Sequence, residues 1–181
     1  FDTQVELDKQ YKVLAVDDNS INLKVLNGFI DKIGHQCIKA ESGEDAIELL
    51  NSQDFDMILM DVNMRGISGL ETTKNIREMQ HVEKSSIPIV ALTGNSGQDA
   101  VHECYSAGMD DFILKPISPR SLNEVFVKLE NNSFGNEITT RKYAEIRAGR
   151  KNADAAPIES EEPSLDTLEE TDVQVEFTPP Q

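Results

Sequence analysis

The chain is poor in basic residues, in cysteine and in long apolar runs, and it does not open with methionine. Lys and Arg number 17 against 33 Asp and Glu, a formal net charge of -16 at pH 7. A surface of that sign repels nucleic acid, whose phosphates need clustered Lys and Arg, and it suits divalent cations and basic protein surfaces. The deficit runs throughout: residues 1–130 carry 12 basic and 22 acidic side chains, about -10, and the rest carry 5 and 11, about -6. Two cysteines, Cys37 in a predicted strand and Cys104 in a predicted helix, lack the close spacing that binds zinc. Buried free thiols in a reduced, cytoplasmic setting are the expectation. No apolar stretch approaches the roughly 20 residues that span a bilayer, so no direct membrane contact is expected. With Phe1 at its start, the polar, aperiodic opening FDTQVELDKQ, residues 1–10, reads as a linker cut from something longer.

Five short apolar runs are present: YKVLAV at 11–16, QCIKA at 36–40, MILM at 57–60, IPIVAL at 87–92 and FIL at 112–114. The intervals leave room for one helix per crossover, as in a parallel sheet of β-α-β units. Leu23, Leu26, Ile30 and Ile33 mark the first helix, capped by Asn19 or Ser20 and stopped at Gly34. Ala46, Leu49 and Leu50 mark a second after Ser42-Gly43. Leu70, Thr73, Ile76 and Met79 mark a third, and Val101, Cys104 and Tyr105 a fourth before Gly108. The last carries Leu122, Val125, Phe126 and Leu129 behind Ser118-Pro119, a cap followed by proline at the first helical position. Strict alternation predicts an α/β fold, a flavodoxin-like (βα)5 doubly wound sheet of five parallel strands in the order 2-1-3-4-5. From residue 131 to 181 large apolar residues thin out and Glu, Asp, Thr, Ser and Pro accumulate. That composition predicts a folded unit over 11–130 and a disordered acidic tail, with a short basic helix as an option at 138–151.

Doubly wound sheets bind ligands where their strands end. The first run leads into Asp17 and Asp18, the third into Asp61, the fourth into Thr93 and the fifth into Lys115-Pro116, while the second ends in Ala40. Strands one and three are neighbours in the expected order, so three carboxylates converge. Such a cluster is unfavourable without a cation. A hard ion with oxygen ligands answers it, Mg²⁺ first and Mn²⁺ as a substitute. A single Asp after a strand is commonly a helix cap; three carboxylates with a Lys and a Thr at one edge are not explained that way.

The segments VDDNSIN at 16–22, LMDVNM at 59–64, ALTG at 91–94 and DDFILKP at 110–116 together resemble the receiver domains of two-component response regulators, over residues 11–130. That resemblance implies that Asp61 accepts a phosphoryl group from a phosphohistidine, and that Asp17, Asp18, Asp61 and the backbone carbonyl of Asn63 hold Mg²⁺. It implies that Lys115 and Thr93 meet the phosphoryl oxygens, with the amides of Val62 and Gly94 as further donors. Phe112 matches the switch aromatic that follows Thr93 inward, and Lys115-Pro116 matches a bond that is usually cis in the family. The side chains of Asn63 and Asn95 lie where they can tune hydrolysis. One departure stands out: family members typically have Met-Pro where this chain has Met64-Arg65, which frees the loop from a fixed φ.

Phosphoryl transfer of this kind depends on positioning and charge neutralisation more than on covalent help from the protein. Catalysis is then limited to the domain's own phosphorylation and dephosphorylation. The DDNxxN pattern and the ALTG run look like those of receivers fused to hybrid sensor histidine kinases, with a histidine kinase or histidine phosphotransfer protein as partner. A stand-alone single-domain regulator is the alternative, and a non-phosphorylated protein-binding module the rival. A haloacid dehalogenase would show Asp-x-Asp, where Asn63 stands here, and the carboxylates of Asp17 and Asp18 would repel a flavin phosphate.

Overall fold

The computed structural model describes residues 9–134. Five parallel strands, β1 (Lys12–Val16), β2 (Gln36–Ala40), β3 (Met57–Asp61), β4 (Ile89–Thr93) and β5 (Asp111–Leu114), pair in the order β2-β1-β3-β4-β5. This is the doubly wound order expected from the alternation. The helices are α1 (Ser20–Ile33), α2 (Gly43–Ser52), α3 (Gly69–Arg77), the single turn α4 (Val82–Ser85), α5 (Gln98–Ala107) and α6 (Pro119–Glu130). Only α4 was not expected, because four residues are too few to display a period.

Strand side chains alternate between two cores. Val13, Ala15, Leu59 and Leu92 face one cluster closed by Leu26 and Ile30 of α1 and Phe126 of α6. Leu14, Val16, Ile58 and Met60 face another, closed by Leu50 of α2, Ile76 of α3 and Cys104 of α5. The sheet is thus buried on both faces, which is why its strands read as continuous apolar runs. Asn19, Ser42, Ser68 and Ser118 cap α1, α2, α3 and α6 through their side chains.

At the end of the sheet where the strands enter, polar groups are tied off in detail. The buried carboxylate of Asp110 accepts from the backbone N–H of Ile89 at 2.9 Å and from Arg77 Nη2 at 3.0 Å. Arg77 also donates to the carbonyls of Gly108, Ser85 and Ile87. Just before β1, the N–H of Tyr11 donates to Nδ1 of buried His35 at 3.1 Å, and the His35 ring stacks on Phe126 at 4.2 Å. Phe134, four residues past α6, is also buried against this cluster.

Among the described residues no helix is long and apolar enough to cross a membrane. The segments expected as the start of the linker (residues 1–8) and as the tail with its optional basic helix (135–181) lie outside the described residues.

Candidate functional site

The β1–α1 turn builds the first wall of the site. Asp17 is 1 % exposed. Its Oδ1 accepts from the N–H of Asn19 at 2.9 Å, and its Oδ2 from Asn22 Nδ2 at 3.2 Å. Asn19 in turn accepts from the N–H groups of Ile21 and Asn22, so one residue caps α1 and fixes Asp17. Asp18 faces the loop after β3. Its Oδ2 accepts from the backbone N–H of Arg65 at 3.0 Å, with Arg65 Nε 3.6 Å from the same oxygen.

Asp61 ends β3, in register beside Leu92 of β4. It is 3 % exposed, and its Oδ1 accepts from Lys115 Nζ at 2.9 Å and from the N–H of Asn63 at 3.3 Å. Lys115 Nζ also lies 4.0 Å from Asp17 Oδ2. Burial raises the Asp61 carboxyl above its ordinary value; the hydrogen bond from Lys115 opposes this, and the charge of Asp17 adds to it. One oxygen from each of Asp17, Asp18 and Asp61 lies within 4.8 Å of the other two. This all-oxygen donor set, with no His or Cys in it, fits a hard divalent cation. A cleft of about 480 Å³ lies alongside, lined by Asp17, Asn22, Val25, Leu26, Lys115, Pro116 and Ile117.

The other expected residues flank this trio. Thr93 ends β4, and its hydroxyl is shared with the next loop: it donates to the carbonyl of Asn95 at 3.2 Å and accepts from the Asn95 N–H at 3.1 Å. Phe112 pairs with Ala91 across β4 and β5 and is half-buried against the second core. Asn63 and Asn95 are exposed. The Lys115-Pro116 peptide is cis. One expectation fails: the N–H of Val62 donates to the carbonyl of Leu92 at 3.1 Å, so it is spent on β4 and is not a free donor at the site. Register decides this, since Val62 continues the β3 ladder by one residue.

Two contributors were not singled out from the sequence. Asn22 belongs to the VDDNSIN segment, but its bond to Asp17 needs the first turn of α1 to bring it back over the strand end. Gly69 begins α3, and its N–H donates to the carbonyl of Val62 at 3.0 Å. A Cβ there would collide with the backbone carbonyl of Asp61, so α3 can abut the end of β3 only because position 69 has no side chain. A glycine directly behind the capping Ser68, eight residues past the strand-end Asp61, was the available signal.

The family profile described as "Response regulator receiver domain" matches residues 13–126. The chain is 35% identical over 132 residues to the sensor protein GacS of Pseudomonas syringae pv. syringae, covering 72% of this chain and 15% of that protein. It is 34% identical over 139 residues to hybrid signal transduction histidine kinase L of Dictyostelium discoideum, covering 74% and 8%. It is 31% identical over 147 residues to histidine kinase 5 of Arabidopsis thaliana, covering 68% and 16%. The chain therefore spans only a small part of the curated relatives it matches. Among solved structures, the receiver domain of sensor histidine kinase PA1611 from Pseudomonas aeruginosa superposes with a TM-score of 0.62 at 28% identity, covering 68% of this chain and 99% of that one. That crystal structure has a magnesium ion coordinated in its active site cleft.

Proposed function

The chain belongs to the response regulator receiver family, and on that premise we propose that Asp61 accepts a phosphoryl group from a phosphohistidine on a histidine kinase or histidine phosphotransfer protein. The observation that carries this reading is the buried Asp61 carboxylate, hydrogen-bonded to Lys115 at 2.9 Å beside two further carboxylates. Asp17, Asp18, Asp61 and the carbonyl of Asn63 are the residues that would hold Mg²⁺, with Mn²⁺ as a substitute. When bound, such an ion neutralises charge on the transferring phosphoryl oxygens.

The chain's own residues do the positioning. Hydrogen bonds from Lys115 and the Asn63 N–H orient the Asp61 carboxylate, so that one of its oxygens forms the new P–O bond while the donor's P–N bond breaks and the imidazole leaves with the electron pair. Lys115 and the Thr93 hydroxyl then satisfy the phosphoryl oxygens, and Asn63 and Asn95 border the path of an attacking water. To reach the phosphoryl group Thr93 must either leave Asn95 or carry its loop along, and Phe112 on the next strand turns into the space Thr93 vacates. A charge at Asp61 thereby becomes a change of surface shape around α5, β5 and α6.

Identity to hybrid sensor kinases supports reading residues 11–130 as one receiver of such a kinase, working in the cytoplasm, with residues 1–10 as linker and 131–181 as an acidic tail whose first residues, through Phe134, close the core. Acetyl phosphate with Mg²⁺ is the test. Intact-mass measurement should show one added phosphoryl group on the wild-type protein, none after EDTA and none on Asp61→Ala. Equal labelling of Asp61→Ala would overturn the assignment, and no labelling of a folded, Mg²⁺-loaded wild type would favour a non-phosphorylated binding module.

A further inference from the structure

Asp18 differs from its two companions in what holds it. Asp17 is fixed by Asn19 and Asn22 of its own turn and helix, and Asp61 by Lys115 and by the Asn63 N–H. Asp18 is held from across the cleft by a single residue of the β3–α3 loop, 47 positions away, which brings two donors to one carboxylate oxygen. One donor is the backbone N–H of Arg65, and the other is its guanidinium. Proline at position 65 would have neither. Gly66, with φ +77°, follows at once and turns the loop back after Arg65.

The Arg65 side chain is 95% exposed and that of Asp18 25%. Their contact sits at the rim, where water and salt weaken it without abolishing it. A cation entering among Asp17, Asp18 and Asp61 needs charge density at Asp18, which the guanidinium already partly neutralises. The two cations repel each other as well. Among the described residues Lys115 is the other cation beside the trio, and it is committed to Asp61 and Asp17. Arg65 therefore stands alone against the most accessible of the three carboxylates.

We propose that Arg65 is a built-in competitor for the divalent ion at Asp18: it closes the rim of the acidic pocket when the ion is absent, and it lowers the site's affinity so that occupancy follows Mg²⁺ concentration and ionic strength. The inference rests on the metal reading of the site and adds a positioning residue to it. A unit charge a few ångströms from a divalent ion, screened by water, shifts binding about three- to tenfold.

Mg²⁺ titrations by calorimetry on the full chain, for wild type and Arg65→Lys, Arg65→Gln and Arg65→Glu, test it. Affinity should follow charge: Lys equal to wild type, Gln about three- to tenfold tighter and Glu tighter still. The gap between Gln and wild type should shrink as KCl rises. Melting temperatures in EDTA should agree among all four, since the side chain packs against nothing buried, and agreement there separates a charge effect from a folding effect. Equal affinities for the four proteins, or a gap indifferent to salt, would overturn the competitor role and leave the metal site standing. If none of the four bound Mg²⁺, the metal reading would fall and the inference with it.

Discussion

Two buried carboxylates at opposite ends of the same sheet have been given opposite environments. Asp110, where β5 begins, meets a guanidinium and a backbone N–H, and its partner Arg77 spends its remaining donors on three carbonyls. Asp61, where β3 ends, shares one lysine with Asp17 and lies in a cluster of three acids. The first arrangement is neutral and locked. The second holds more negative charge than its protein partners offset. Burial alone does not distinguish a structural acid from a reactive one; the balance of its partners does.

The sharpest way to break this comparison is to remove one partner at each end. Arg77→Met should lower stability by about 3–5 kcal/mol in urea titrations, because it strands a buried charge. Asp61→Asn should leave stability within about 1 kcal/mol of wild type or above it, since burial and Asp17 both disfavour the charged form. If Asp61→Asn proved the more damaging, the two ends would have to exchange roles. A smaller effect is expected beside the locked end. Phe134→Ala should cost about 2–3 kcal/mol, as a buried aromatic is truncated at the margin of the core, and a chain ended after residue 132 should show the same loss. Unchanged melting of both would mean that the core stops at α6.

The smallest effect concerns His35. Burial lowers its pKa from the ordinary value, partly offset by Asp56 and Glu130, and its Nε2 has no hydrogen-bond partner among the described residues. The unfolded chain therefore takes up this proton at a higher pH than the folded one. The stability associated with neutral His35 is complete above the unfolded pKa and is lost as pH falls from there toward the folded pKa, at no more than about 1.4 kcal/mol per pH unit. Urea titrations between pH 7.5 and 5.5 should show that slope in wild type and a flatter one in His35→Asn, whose carbonyl can still accept the Tyr11 N–H. Equal slopes would place the titrating group elsewhere.

The residues at the exit end were legible because strand periodicity identifies where each apolar run stops, and Asp17, Asp18, Asp61, Thr93 and Lys115 follow directly. Tertiary matters were not. Arg77 and Asp110 are 33 residues apart and meet only after α3 and β5 are in place. The Val62 amide looked available until register assigned it to Leu92. Phe134 is a lone aromatic in polar surroundings, so composition placed it outside the folded unit, whereas it is buried in the first core, the cluster that also holds Tyr11 and Phe126. Arg65 was noticed for the loop geometry it relaxes, and its reach to Asp18 depends on a turn that sequence does not specify.

The hydroxyl of Thr93 has one further consequence. It is both donor and acceptor to the backbone of Asn95, whose own side chain accepts from the N–H of Gly97, whose carbonyl accepts from Val101 in the first turn of α5. Thr93 thus cannot be drawn toward Asp61 by itself. Either two hydrogen bonds break, or the Gly94–Gly97 loop travels with it and tugs the start of α5, so that the side chain works like the end link of a short tow chain hitched to a helix.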